Sequence, residues 1–204
     1  MLFRKLSILI MCMLAAFSAS AALTAQQVLD KVSATLTSPA SVSVNFTFSS
    51  GGQTGHGTMT VCRDWFTYNA ADLAVWYDGH SQWALQRSAG EVSLTEPTAD
   101  ELLESNPFRV ISSYRQLYNC QLLQSSKGTY KVKLLAKSRT AAVQSAVITV
   151  NVTTFQPVSI EATLSGGTRT KVSVTSFIKG KALPKSFFQF NPKANPSVEV
   201  IDLR

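Results

Sequence analysis

The chain has 204 residues, 45% of them hydrophobic, which suits a single domain with a sizeable core. The 19 basic residues outnumber the 12 acidic ones, but they are spread along the sequence. A diffuse excess of this kind favours encounters with anionic membrane surfaces and does not indicate a nucleic-acid partner.

The first residues have the pattern of an export signal. Two basic residues precede an almost unbroken apolar run from Leu6 to Phe17, and Ala19-Ser20-Ala21 offers the small residues that a signal peptidase requires. The run is shorter than the about 20 residues of a membrane-spanning helix, although a retained anchor is the alternative. We predict a cleaved signal peptide over residues 1–21 and a single soluble, exported domain over residues 22–204.

The three cysteines bear on anchoring and on disulfide formation. Cys12 lies in the middle of the apolar run after Met11, a poor position for lipidation, so we expect the mature protein to be free rather than tethered. Cys62 and Cys120 remain after cleavage, in a compartment that permits disulfides. Because their Cα separation does not follow from sequence, a disulfide and two free thiols both stay open.

The mature chain is predicted to open with a helix and continue in strands. Thr24 and Gln27 form a capping box, and apolar residues recur at helical spacing as far as Leu36. Alternating apolar residues from Val42 to Phe48 predict the first strand. Further strands are predicted over residues 58–62, 65–68, 73–77, 81–87 and 92–94, with a glycine-rich turn over 51–57 and a two-residue hairpin turn at Asp78-Gly79.

A central helical segment separates the two groups of strands. Residues 98–101 form a second capping box, and Asn106-Pro107 restarts a helix. Its predicted apolar side comprises Phe108, Ile111, Tyr114, Leu117 and Tyr118. Strands then return over residues 121–124, 129–136, 147–152, 158–164 and 169–177.

Two features of the strands concern the interior. Leu134-Leu135 and Val147-Ile148 place apolar residues on both faces of a strand, and aromatic residues concentrate in the first half of the sheet. Such strands fit a curved sheet with helices on one side and an apolar hollow on the other. An ordinary close-packed core fits equally well, so periodicity leaves both interpretations open.

The sequence has no constellation typical of an enzyme. The two histidines, His56 and His80, lie in predicted turns, and a Cys62–His80 pair lacks a third group to orient it. The acidic residues belong mostly to turns and caps, and neither a phosphate-binding glycine loop nor metal-ligand spacing is found. We predict no catalytic activity, no cofactor and no metal.

The order of several motifs resembles a known family. The capped helix and the Phe-x-Phe strand lead into Gly57–Phe66 and the Asp78-Gly79 hairpin, and the chain finishes with Phe188–Pro192 and Val198–Arg204. In this order and spacing, over essentially all of the mature chain, they resemble the periplasmic outer-membrane lipoprotein carrier family, LolA. The resemblance implies a mainly β fold with α-helices: an incomplete, curved antiparallel β-barrel whose helices cover one face and lid an apolar cavity.

The resemblance also implies site residues. Ser105–Tyr118 would form part of the lid, and Arg63 falls where the family has an arginine that latches the lid. Cys62 and Asp64 replace the basic residue and the proline that flank the family's arginine, so a plain surface arginine is the alternative. The residues predicted to line the cavity or its lid are Phe46, Phe48, Trp65, Phe66, Trp76, Phe108, Ile111, Tyr114, Ile148 and Val150.

The function implied by the resemblance is a periplasmic carrier of lipoprotein acyl chains. Its expected partners are an inner-membrane ABC transporter that loads it and an outer-membrane acceptor that unloads it, and we expect a monomer. A carrier or sensor of another lipid or glycolipid on the same fold is the nearest alternative. An envelope β-domain with a filled core is the other.

Overall fold

The computed structural model describes residues 23–123 and 128–204, so the predicted signal peptide lies outside the described residues. These residues form one open, curved, twelve-stranded sheet with four α-helices. The helices are α1 Ala25–Thr37, α2 Ala99–Ser105, α3 Arg109–Ser112 and α4 Tyr114–Leu117, and two 3-10 helices cover Lys185–Phe188 and Pro192–Ala194. The strands are β1 Ser41–Ser50, β2 Gln53–Cys62, β3 Trp65–Ala70, β4 Leu73–Tyr77, β5 Gln82–Gln86, β6 Glu91–Thr95, β7 Tyr118–Leu123, β8 Thr129–Ala136, β9 Val143–Asn151, β10 Pro157–Leu164, β11 Arg169–Gly180 and β12 Glu199–Asp202.

Two antiparallel meanders make up the sheet. Strands β1–β6 follow one another as neighbours, as do β7–β11, and the long antiparallel pairing of β1 with β11 joins the two sets. Strand β12 returns to pair in parallel with β6, so β12 and β7 lie at the two edges and the sheet does not close. The predicted incomplete barrel is confirmed, with one parallel pair among the described strands.

Helix α1 covers one face of the sheet, which we call the inner face. Its capping box is formed as predicted, with Thr24 Oγ1 accepting from the Gln27 backbone N–H at 3.2 Å and Gln27 Oε1 accepting from the Thr24 N–H at 2.9 Å. Val28, Leu29 and Val32 are completely buried in a cluster with inner-face side chains of both meanders. The apolar stripe of one helix therefore seals much of the inner face.

Strands β8 and β9 are apolar on one face rather than two. Leu134 is completely buried, whereas its neighbour Leu135 is 46% exposed, and Ile148 is buried while Val147 is half-buried. The expectation of helices on one side of the sheet and a hollow on the other is therefore wrong. Helices and cavity share the inner face, and the outer face of this region carries polar and half-exposed side chains.

A smaller cluster lies on the outer face of β3–β6, beneath the segment that follows β11. Trp76 meets the Phe190 ring edge-on at 5.5 Å between centroids, and Trp65 lies 5.7 Å from Phe188. Asp78 is only 6% exposed, and its Oδ2 accepts a hydrogen bond from Gln189 Nε2 at 2.7 Å. These contacts fasten residues 185–190 to the outer face.

Several local predictions need correction. The β4–β5 connection is a four-residue loop, Asp78–Ser81, whose Asp78 Oδ1 accepts from the backbone N–H groups of His80 and Ser81. Strand β2 already begins at Gln53, directly after a tight Gly51-Gly52 turn. The central helix is broken into short pieces and ends before Tyr118, which begins β7.

Cys62 and Cys120 are both free thiols in this structure. Cys62 is buried and its Sγ–H donates to the Ala40 carbonyl at 3.0 Å, while Cys120 is half-buried. The alternative of two free thiols is therefore the one that the structure shows.

Two separate features, the backbone conformation and the space beside Trp65, require a glycine at position 79. Its φ is +96°, and a Cβ there would lie 3.0 Å from Trp65 Nε1. We predict that Gly79→Ala lowers the free energy of unfolding by about 1–3 kcal/mol, measured by urea denaturation. Gly90→Ala is the control, because Gly90 also has a positive φ but open space around it. Equal losses in the two variants would show that crowding by Trp65 is unimportant.

Candidate functional site

Most of the predicted cavity residues share the inner face. They pack in one apolar cluster with α1, and all but Phe48 are at most 3% exposed. They are Phe46, Phe48, Phe66, Phe108, Ile111, Tyr114, Ile148 and Val150. The structure thus brings together side chains from both meanders and from the helices that cover them.

Trp65 and Trp76 do not belong to this group. Strand alternation puts Phe66 and Val75 on the inner face, so Trp65 and Trp76 point to the outer face. They pack there against Phe188 and Phe190. The prediction that these two tryptophans line the cavity is wrong.

Part of the inner face remains uncovered as an apolar cleft of about 270 Å³, near the end of α2. This is just below the range of about 300–1,000 Å³ typical of small-ligand pockets. The sheet side of the cleft is lined by Phe46, Phe48, Ser50, Tyr68, Leu73, Val75, Leu164, Thr170 and Val172, and the helix side by Glu104, Ser105 and Pro107. Beside the cleft, Phe108 and Ile111 of the helical segment are buried in the inner-face cluster.

Aromatic rings and small residues shape the cleft together. The Phe46 ring lies 6.5 Å from that of Phe48 and 5.6 Å from that of Tyr68. A Cβ on Gly57 would lie 2.8 Å from Phe46 Cζ and 2.8 Å from the Asn69 carbonyl oxygen, and one on Gly55 would lie 2.8 Å from the Phe48 ring. The glycines of β2 therefore leave the room that these rings occupy.

A polar tie joins α1 to α4 at the rim of the cluster. The Tyr114 hydroxyl donates to Asp30 Oδ1 at 2.7 Å. Arg115 donates to both oxygens of the same carboxylate, from Nε to Oδ1 at 3.2 Å and from Nη2 to Oδ2 at 2.5 Å. Lys137 Nζ donates to the Arg115 carbonyl at 2.8 Å and so attaches α4 to the end of β8. These bonds hold the lid segment, defined here as residues 99–117, against α1 and the sheet.

The hydrogen-bonded groups of this tie shift one another's pKa values. Hydrogen bonds from Tyr114 and then from Arg115 lower the pKa of Asp30 below its ordinary value. Burial, together with the hydrogen bond to Asp30, raises the pKa of Tyr114 well above its ordinary value. At neutral pH the site therefore holds a carboxylate, a neutral phenol and a guanidinium.

Arg63 has a different setting from the one that the resemblance implies. It is exposed at the turn between β2 and β3 with φ +56°, and its guanidinium carbon lies 5.8 Å from the Trp65 ring centre. Within residues 23–123 and 128–204 no hydrogen bond from it to a helix is formed, although it borders a crevice with Leu36 and Phe108. A latch role for Arg63 stays a prediction.

Sequence reasoning included Tyr114 but missed Asp30 and Arg115 of the tie, and part of the cleft. Asp30 and Arg115 are 85 residues apart, and neither belongs to a motif. Leu164 and Val172 end up in the cleft because β10 and β11 return beside β1. Alternation within β3 could have assigned Tyr68 to the face of Phe66, and Val75 shares that face because it pairs with Tyr68 across β3 and β4.

The chain is similar to a known protein family in sequence and to solved structures in fold. Residues 14–166 match the protein family described as outer membrane lipoprotein carrier protein LolA. No curated protein matches the sequence significantly. An uncharacterized conserved protein from Thermus thermophilus superimposes with a TM-score of 0.60 at 10% identity, covering 87% of this chain and 98% of that chain, which indicates a shared fold.

Two further solved structures superimpose less well. LolA superfamily protein NE2245 from Nitrosomonas europaea gives a TM-score of 0.47 at 15% identity and covers 83% of this chain and 99% of that chain. The Pseudomonas aeruginosa MucA/MucB complex gives 0.44 at 12% identity, covering 83% of this chain and 62% of that chain.

We predict that Tyr114→Phe and Asp30→Asn both loosen the lid segment. Loss of the Tyr114 hydroxyl bond should cost about 1 kcal/mol of unfolding free energy. Amide hydrogen exchange over residues 99–117, followed by mass spectrometry, should accelerate in both variants. Glu161→Gln is the control, because it removes an exposed ion pair with Lys171 on β10 and β11, away from the lid. An Arg63→Leu variant that accelerates exchange as much as Asp30→Asn would make Arg63 the latch instead.

The Asp30 tie should also depend on pH. Because the folded state lowers the pKa of Asp30, its charge contributes stability above pH about 4, and that contribution is lost as pH falls through the lowered pKa. The difference in unfolding free energy between the wild type and Asp30→Asn should be constant near neutral pH and shrink in acid. A difference independent of pH down to pH about 2 would contradict the assignment.

Proposed function

This chain belongs to the outer membrane lipoprotein carrier protein LolA family, and we propose that it is a periplasmic carrier that shelters the acyl chains of lipoproteins and ferries them from the inner to the outer membrane. The observation that carries the proposal is the inner face itself. One continuous apolar surface is covered by α1 and by short helices rather than by a second sheet, with a cleft left at its edge.

The cover is suited to exchange with a lipid. Phe108 and Ile111, from the lid segment, supply apolar contacts of the same kind that an acyl chain would supply. Each buried methylene contributes about 0.8 kcal/mol, so a chain of about 16 carbons contributes on the order of 10 kcal/mol before costs. Displacing the lid segment offsets part of that gain, which keeps binding reversible.

Opening of the lid segment is then controlled by the contacts at the rim of the inner-face cluster. The helix pieces α3 and α4 have only four residues each, too short to be stable alone, so their position depends on packing and on the Asp30 tie. Releasing the segment means breaking these polar bonds and uncovering buried side chains such as Phe108 and Ile111, but it leaves the sheet folded. Arg63 borders the crevice beside α3, and we assign it at most a secondary part in closure.

Transport by such a protein makes and breaks no covalent bond. Direction comes from partners, which we propose to be an inner-membrane ABC transporter as donor and an outer-membrane acceptor. No described helix is both long and apolar enough to span a membrane. We propose that the signal over residues 1–21 is removed on export and that the mature domain shuttles unanchored.

The cleft should be required for lipid binding. We predict that Phe48→Gln weakens binding of a fluorescent fatty acid several-fold, because it places an amide among apolar cleft side chains. Ile178→Gln is the matched control, since Ile178 is 58% exposed and lies outside the cleft. Purified mature protein should also yield bound lipid on solvent extraction and mass spectrometry. The absence of both extracted lipid and fatty-acid binding would overturn the carrier proposal.

A release assay distinguishes lipoproteins from other lipids as the cargo. Incubated with spheroplasts, the protein should release newly made lipoproteins into solution, and Phe48→Gln should release fewer. Binding of free lipids without release of lipoproteins would favour a carrier or sensor of another lipid on the same fold.

A further inference from the structure

A second depression lies beside the cleft, also on the inner side of the sheet. Its floor is formed by Ala84 and Ser93, which pair across β5 and β6, and one wall is α2. Leu203 and Arg204, directly after β12, close its far end. We call this depression of about 700 Å³ the α2 groove.

The α2 groove adjoins the apolar cleft. Glu104 and Ser105, at the end of α2, line both. The character of the lining changes at this point, because the cleft is walled by aromatic and aliphatic side chains whereas the groove offers hydroxyls and carboxylates, including Ser93 and Thr95. An apolar compartment thus lies next to a polar one.

The charges of the groove favour a neutral or basic occupant. Glu96, Glu101 and Glu104 line it against the single cation of Arg204, and Asp202 neutralises Arg204 at 2.6 Å. Glu101 is engaged by the Thr98 capping box, and Glu96 lies 3.1 Å from His80. Glu104 is exposed and forms no ion pair with another described residue, so it is available to a ligand.

A lipoprotein presents both characters in one molecule, because its acyl chains are bonded to the first residue of a polypeptide. With the chains in the cleft, a polypeptide that leaves past Glu104 and Ser105 enters the α2 groove. We propose that the α2 groove binds the first residues of the cargo polypeptide in extended form and prefers basic to acidic side chains there. This inference rests on the proposed carrier function.

Three probes separate the two sites: a diacylated S-glyceryl cysteine amide with no peptide tail, and the same lipid followed by Ser-Ser-Lys-Ala or by Ser-Ser-Glu-Ala. The wild-type mature protein should bind the lysine tail about three- to tenfold more tightly than the tailless lipid, in the range of exposed ionic and polar contacts. The glutamate tail should give no such gain.

Two variants locate the gain in the groove. Ser93→Tyr fills the floor and should abolish the gain from the tail while leaving the tailless affinity within about twofold. Thr149→Tyr is its control: it places the same bulk on a half-buried position between the inward Ile148 and Val150, hence on the outer face, and should preserve the gain. Glu104→Lys, on an exposed position that tolerates the change, should reverse the preference between the two tails.

Other results would overturn the proposal. Tailless and tailed probes of equal affinity in the wild type, or a gain that survives Ser93→Tyr, would refute the α2 groove while leaving the acyl cleft intact. Failure of all three probes to bind would refute the carrier function, and the groove with it.

Discussion

The structure depends on one constraint, which is that the apolar inner face of an open sheet cannot be left in water. In a closed small barrel, side chains from opposite strands fill the interior. Here β7 and β12 stay apart, and the inner face is instead sealed by α1 and by the short helices between β6 and β7. The interior therefore contains elements that can leave it without breaking a strand pair.

The two parts of the cover, helix α1 and the lid segment, are held in place differently. Helix α1 has thirteen residues, a complete capping box and three fully buried valine and leucine side chains, so it is a stable part of the core. The lid segment packs against it through short helices and is tied by a carboxylate that is 45% exposed. Polar bonds at a hydrated rim are individually weak, so most of the cost of opening is the exposure of buried lid side chains such as Leu102 and Phe108. The outer face has the opposite design, because Asp78 fastens residues 185–190 from a nearly buried position.

Whether the sequence predicts a feature of this structure depends on how far apart along the chain its interacting residues lie. Capping boxes at Thr24 and Thr98 are local, and both are formed. Strand positions follow from a period of two and were also predictable. The face on which a residue lies is not local: Trp65 and Phe66 differ by one position, and their packing against Phe188 and in the inner cluster, respectively, shows which points outward. The same holds for the lid, since nothing near Asp30 in the sequence indicates a partner at Arg115.

The central claim is that an acyl chain replaces the lid segment on the inner face. A palmitic acid carrying a photoreactive group at its methyl end tests this directly, with cross-linked residues located by peptide mass spectrometry. We predict cross-links to the cleft and its cover, at Phe48, Leu164, Val172 or Phe108, and their loss when excess unlabelled palmitate is present. Cross-links confined to the outer cluster around Trp76 and Phe190 would contradict the account.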